Sequence, residues 1–411
     1  MYWILLLIGC IFIVLGLVVA RKREIKSLPV IILFVIAGAF IIPINVVSLM
    51  HYRNIDGTIE RKTDGGASYY HIVCNTDSRY DFGYLQGQAL SQEILNMKII
   101  LSPMIDFIQA ESREVIHEFD AFIPDEYREE MQGMAHGASN RLGIMITYDD
   151  ILLQNLFSDL VYSRQIPQEH MGCSVVAYQS EDGVIAGQNF DFTKIMGYRN
   201  LFDTTAFVHT EFQGHEIFGL RMGGSLSIPM AKTHTFSVYI NVVPSRIYDG
   251  NFSMPMFIRT RLALESATTL EEFETIMDFA TIPASYNFVF ANETVARGYE
   301  TSPTQYHVND SVLIVNTNTY MNSEMRNFIV DEEYSVARHR QVEVLSHELI
   351  INENFTEDAL LSLFSYACEE IPERSIYREG DDSMDTITIC FMTNSYFGFR
   401  NVNYSKGVIP I

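Results

Sequence analysis

Basic residues are scarce in this chain of 411 residues: 28 lysines and arginines stand against 51 aspartates and glutamates, a net charge of −23. Nucleic-acid binding and docking on an anionic lipid surface both need a basic footprint, which so acidic a chain does not offer. Cysteine is also rare. Its five copies, Cys10, Cys74, Cys173, Cys368 and Cys390, form no C-x-x-C pair and no metal-ligand spacing. The eleven histidines never form H-E-x-x-H or a similar cluster along the sequence. No metal and no other cofactor is therefore expected. Repeats and low-complexity tracts are absent too. What is plentiful is apolar material: 48% hydrophobic residues, 12% of all residues being aromatic, can fill one large core or two ordinary ones, which excludes wholesale disorder.

Charge is missing altogether from two stretches. Residues 2–20, YWILLLIGCIFIVLGLVVA, and 28–50, LPVIILFVIAGAFIIPINVVSLM, contain no Asp, Glu, Lys or Arg. Each is close to the ~20 residues with which a helix crosses a bilayer. A secretory signal carries positive charge ahead of its apolar run, and nothing basic precedes Tyr2. The expectation is a hairpin of two transmembrane helices anchoring the chain in a bilayer. The basic loop between them, RKREIKS, predicts a cytoplasmic turn and places the large acidic part on the extracytoplasmic side. Arg53, Arg61 and Lys62 weigh against that orientation, and a hydrophobic hairpin buried in the protein is the competing reading.

Residues 51–70 read as a polar stem, with DGG at 64–66 as linker, and 71–411 as the globular domain. Helical patterns run over about 80–118, 124–142, 147–163, 256–280 and 334–349. Strand patterns dominate from 173 to about 243, recur in NFVFAN and SVLIVNTN, and close the chain in TITICFMTN and YFGFRNVNY. Runs of helices and runs of strands predict a layered α+β architecture, not alternating βαβ units.

Within that pattern, MGCSVVAYQSEDGVIAGQNFDF at 171–192 places Cys173 at the head of a hairpin that returns to Asp191. A lone cysteine in an apolar strand is most often packed core. Here it is the first strand residue and follows Gly172, whose missing Cβ lets the peptide bond be strained and closely approached. Attack of the thiol on its own preceding carbonyl would free the α-amino group of Cys173. Such an amine titrates near ~8 and can serve as general base to the thiol of the same residue.

Several segments in order strengthen this reading. They are YDFGYLQGQAL, EEMQGMAHGAS, CSVVAYQSEDGVIAGQNFDF, SYNFVFANETVARGYETSP, VNTNTY and SVARHRQV. Together they resemble the N-terminal-nucleophile (Ntn) hydrolases. The resemblance is strongest to the isopenicillin N acyltransferase group, a relative of choloylglycine hydrolases and acid ceramidases, and it runs from about residue 80 to the end. It implies a four-layer α-β-β-α sandwich, self-cleavage between Gly172 and Cys173, and attack of Cys173 on a linear amide. By the same resemblance Asp191 holds the new ammonium, Asn287 is the oxyanion donor and Arg338 stabilises the nucleophile site. Gln188 stands where the ceramidase branch has arginine, Asn241 is the surviving strand asparagine, and both are candidate substrate contacts. Asn189 is expected to bind turn backbone. The segment GGSLSIPMAKTHTFSVYINVV at 223–243 departs from the family's Gly-rich pattern, and Thr319 replaces a common histidine. An N-acyl amide with an apolar tail is the expected substrate, hydrolysis the expected outcome, and acyl transfer the variant. A catalytically inactive, membrane-tethered binding or scaffold protein is the alternative, and a transporter accessory subunit a further one.

Overall fold

The computed structural model describes residues 52–64, 67–108, 112–163, 173–193, 201–227, 230–246, 252–329, 333–366, 376, 384–392, 396–401 and 407–410. The two charge-free stretches at 2–20 and 28–50 lie outside the described residues. Among the described residues no helix is long and apolar enough to cross a membrane.

The chain opens with strands β1 (Gly57–Asp64) and β2 (Ala67–Cys74). Five helices follow: α1 (Arg79–Ala89), α2 (Ser91–Ile108), α3 (Ser112–Asp120), α4 (Asp125–Leu142) and α5 (Tyr148–Ser163). A run of strands comes next: β3 (Ser174–Ser180), β4 (Gly183–Thr193), β5 (Thr205–Phe212), β6 (His215–Met222), β7 (Met230–Lys232) and β8 (Ser237–Val242). Helices α6 (Met256–Ser266) and α7 (Leu270–Met277) precede β9 (Tyr286–Ala291), β10 (Ala296–Ser302), β11 (Gln305–Asn309) and β12 (Leu313–Asn316). The last elements are α8 (Glu333–Ile351), α9 (Glu357–Phe364), β13 (Met384–Met392), β14 (Tyr396–Asn401) and β15 (Gly407–Pro410).

The strands form two sheets. One has nine strands in the order β1-β2-β5-β6-β7-β8-β9-β10-β11, and the other six in the order β12-β3-β4-β13-β14-β15. Alternation along β9 shows how they stack. Tyr286 turns toward α5, where its hydroxyl donates to Asp159 at 2.7 Å, and Phe290 packs on Phe273 of α7. Asn287, one residue on, faces the second sheet and bonds the turn after β12. On the far side of the second sheet, Val176 and Val315 form a separate core with Val342 of α8 and with Leu360 and Phe364 of α9. The result is helices, sheet, sheet, helices: the mixed α+β layering that the runs of elements predicted.

Two expectations are corrected. Residues 57–64, read as stem, form an edge strand paired along its whole length with β2. GTIERKTD is rich in charge because an edge strand faces water and is protected from further pairing by charge, so its composition imitates a linker. The helical pattern over 256–280 resolves into two helices, broken between Ser266 and Leu270. Thr269 caps the second, accepting from Glu272 N while the Glu272 carboxylate accepts from Thr269 N.

Helices α1 and α4 touch backbone to backbone. A Cβ at Gly133 would lie 2.0 Å from the Tyr80 carbonyl oxygen, and one at Gly83 would lie 1.9 Å from that of Glu130. This contact is the physical content of the glycine spacing in both segments. Gly133→Ala must push the helices apart, so a loss of about 1–3 kcal/mol or more is expected, read as a lower urea midpoint.

Asp159 is fully buried beneath β9 and also accepts from Met256 N at 3.0 Å. Burial pushes its carboxyl up to about 7, against the Tyr286 hydroxyl and the Met256 amide, which favour the anion. An unfolded aspartate titrates near ~3.9. The folded chain therefore binds the extra proton across this window. Its stabilising contribution is full below about pH 4 and is lost as pH rises through 7. Asp159→Asn should flatten the pH dependence of the melting temperature over that range.

Candidate active site

The β3–β4 hairpin turns through Glu181 and Asp182, closing Ser180 against Gly183. Ser180 Oγ accepts from Asp182 N at 3.2 Å, and Gly183 takes the positive φ of 122° that the turn requires. From there the register runs without a bulge to Ser174 opposite Asn189. Cys173, at the head of β3, therefore meets Asp191 near the end of β4, as the strand lengths predicted. Its Sγ donates to the Asp191 carbonyl oxygen at 3.5 Å, and the residue is 4% exposed.

Two side chains fix the hairpin head. Asn189 Oδ1 accepts from Ser174 N at 2.6 Å, while its Nδ2 donates to Asp191 Oδ1 and to Ile376 O, both at 2.8 Å. The backbone-binding role expected of Asn189 is thus joined to a second one, orienting the Asp191 carboxylate. Arg338, in α8 and fully buried, donates from Nε to Ser174 Oγ at 3.2 Å and from Nη2 to Cys173 O at 3.4 Å. The same Nη2 reaches Asn318 Oδ1 at 2.9 Å.

Asn318 is the residue that the sequence reading passed over. It lies in the turn after β12, where Thr317 and Thr319 bridge each other. Its Nδ2 donates to Val242 O at 2.7 Å, its Oδ1 accepts from the Arg338 guanidinium that also reaches Cys173 O, and its amide works against the upward shift of the Cys173 thiol. Asn287, the residue expected to be the oxyanion donor, has a different place. Both its amide hydrogens go to the carbonyls of Thr317 and Thr319, at 2.8 Å each, so it holds the turn that presents Asn318. The only signal for this was the asparagine of VNTNTY, quoted above as a turn.

Gln188 and Asn241 come together between the sheets, both fully buried. Gln188 Nε2 donates to Asn241 Oδ1 at 2.9 Å and to Ile240 O at 3.0 Å, and Asn241 Nδ2 donates to Asn316 O at 3.1 Å. They tie β4, β8 and β12 together directly behind the hairpin head.

The electrostatics hold the thiol in its neutral form. Burial raises its pKa most, the Asp191 carboxylate raises it further, and Arg338 and Asn318 oppose them, leaving it pushed up to about 12. With the Gly172–Cys173 peptide intact, the nitrogen of Cys173 is an amide and offers no base. The arrangement is that of a buried thiol held in its protonated form.

No protein-family model matches the chain. An uncharacterized protein of Archaeoglobus fulgidus is 31% identical over 118 residues, a stretch that spans 26% of this chain and only 19% of that relative. Among solved structures, a Caenorhabditis elegans N-acylethanolamine-hydrolyzing acid amidase ortholog aligns at a TM-score of 0.39 with 16% identity, covering 54% of this chain and 92% of that one.

Proposed function

We propose that this chain is a cysteine Ntn hydrolase of linear N-acyl amides, matured by self-cleavage between Gly172 and Cys173. The observation that carries the reading is the convergence on one strand head of a thiol, a carboxylate, a buried arginine and an asparagine amide. In maturation the Cys173 thiol attacks the Gly172 carbonyl carbon. A C–S bond forms, the C–N bond breaks, and the nitrogen leaves with a proton as the new α-amine. Water then hydrolyses the thioester, leaving a carboxylate on Gly172 and a free thiol on Cys173.

In the mature site the α-amine accepts the thiol proton, and Asp191 stabilises the resulting ammonium. The thiolate attacks the substrate carbonyl, the amine leaves with that proton, and water resolves the acyl thioester. Asn318 Nδ2 is the proposed oxyanion donor, and Arg338 fixes both Asn318 and the nucleophile backbone. Asn287 acts as a positioning residue through the 317–319 turn, and Gln188 and Asn241 shape the wall behind the reacting carbonyl. The membrane hairpin at 2–50 and an extracytoplasmic site belong to the same proposal. A site tethered near a bilayer can draw substrates with an apolar tail from it, and one facing outward meets little acyl-coenzyme A, so hydrolysis is favoured over transfer.

The occupied hydrogens of Asn287 and the altered 223–235 segment favour one competitor, a catalytically inactive relative that only binds. Intact mass of the purified wild type separates the two. The enzyme reading expects two fragments, 1–172 and 173–411. A wild type that stays whole and resists thiol alkylation sinks it. Screening N-acyl amino acids and N-acyl ethanolamines then identifies the acyl and amine halves.

A further inference from the structure

We propose that His71, His209 and Glu211 form a binding site for a transition-metal dication of the zinc type, shared between β2 and β5. These strands pair in parallel, with His71 opposite His209, and Glu211 follows two residues later on the same face. The imidazole rings stack with centroids 4.6 Å apart. The ligand atoms of the three residues all lie within 4.8 Å of one another, and His71 Nε2 is 2.6 Å from Glu211 Oε1.

The surroundings are those of a metal site. His209 Nε2 is hydrogen-bonded to Glu216 Oε1, and the other oxygen of Glu216 takes His234 Nε2 at 2.7 Å. A carboxylate on one ring nitrogen fixes the tautomer and leaves Nδ1 with its lone pair, as in the outer shell of zinc histidines. Two imidazoles and a carboxylate select a zinc-like ion over calcium or magnesium, which prefer all-oxygen sets. The histidine side chains are 12% and 9% exposed and that of Glu211 is 43%, so the cluster is walled yet reachable.

One group opposes an ion: Lys62 Nζ lies 2.6 Å from His71 Nδ1. Its side chain is 40% exposed and already has a second partner, Glu60, at 3.6 Å. On metal binding the His71 ring keeps one proton, moved from Nε2 to Nδ1, and Lys62 withdraws to Glu60. Metal–ligand distances near ~2.0–2.1 Å then require the 2.6 Å contact between His71 Nε2 and Glu211 Oε1 to open and the wider separations, up to 4.8 Å, to close. None of this was visible in the sequence, because the two histidines come from strands far apart in the chain.

β2 precedes residue 172 and β5 follows it, so a bound ion would also bridge the two fragments expected after self-cleavage. That consequence rests on the proposed function. The binding itself does not, and its test reads independently of the intact mass. Cobalt(II) titration of metal-free full-length protein is the experiment. One equivalent is expected, with visible d–d bands, no thiolate charge-transfer band, and displacement by zinc. Glu216→Gln should weaken binding about 10–100-fold, and His71→Ala and the half-exposed Glu211→Gln by more. Uptake unchanged in the His71→Ala/Glu211→Gln double variant overturns the site, as does a thiolate band or no uptake at all.

Discussion

Cys173→Ala should run as one uncut chain of 411 residues and lose amidase turnover by on the order of 10⁴-fold or more. The size of the loss follows from what one residue supplies. On the proposed function Cys173 would be the nucleophile of maturation, the nucleophile of turnover and, once cut, the bearer of the base. Removing its sulfur also removes the event that would create the amine. The folded state should change little, because a side chain 4% exposed loses a single atom in a core otherwise retained. Intact mass, melting temperature and turnover on one preparation check all three statements. An alanine variant that is still cut between 172 and 173 would contradict the assignment.

Asn318→Ala should lower kcat by about 10²–10³-fold, the cost of one oxyanion donor, with KM nearly unchanged. Its Oδ1 accepts from Arg338, and its Nδ2, the donor in the proposed reaction, is also shared with Val242 O. Loss of that bond leaves a buried carbonyl short of a partner and costs about 1–3 kcal/mol of stability. A merely structural role would show that stability loss without the kcat-specific one. Asn287→Ala provides the comparison. It frees the 317–319 turn and should lower kcat less than Asn318→Ala, since the donor remains present though less well held.

Legibility in the sequence followed how local the determining signal was. The hairpin from Cys173 to Asp191 could be read because a two-residue turn and period-2 alternation fix its register within twenty residues. Helices α4 and α5 fall where the helical patterns over 124–142 and 147–163 predicted, although α5 is buried all round over residues 151–160. The edge strand β1 was hidden because its charges protect an edge, and the break at Thr269 because a capping box is short against a long apolar pattern. The exchange between Asn287 and Asn318 was illegible for a different reason. Both are asparagines at strand ends, and which amide is consumed by backbone and which lies beside the thiol depends on the packing of β9 against the turn after β12. Likewise His71 and His209 meet only because β2 and β5 pair in parallel, a fact that no window of sequence contains.

The same β2–β5 ladder has a mechanical consequence. In the cut protein proposed here, β1 and β2 stay with the smaller piece while every strand from β3 onward goes with the larger. The nine-stranded sheet would be a noncovalent joint, its seam running from Tyr69 beside Phe207 to Cys74 beside Phe212, reinforced by α2 packed against β6 and by the hydrogen bond from Tyr286 of β9 to Asp159 of α5. Apart from the proposed ion, the larger piece would then hang from the proposed tether by hydrogen bonds and buried apolar surface. On that proposal, denaturant should release the larger piece from a membrane to which mild detergent-free washing would leave it bound.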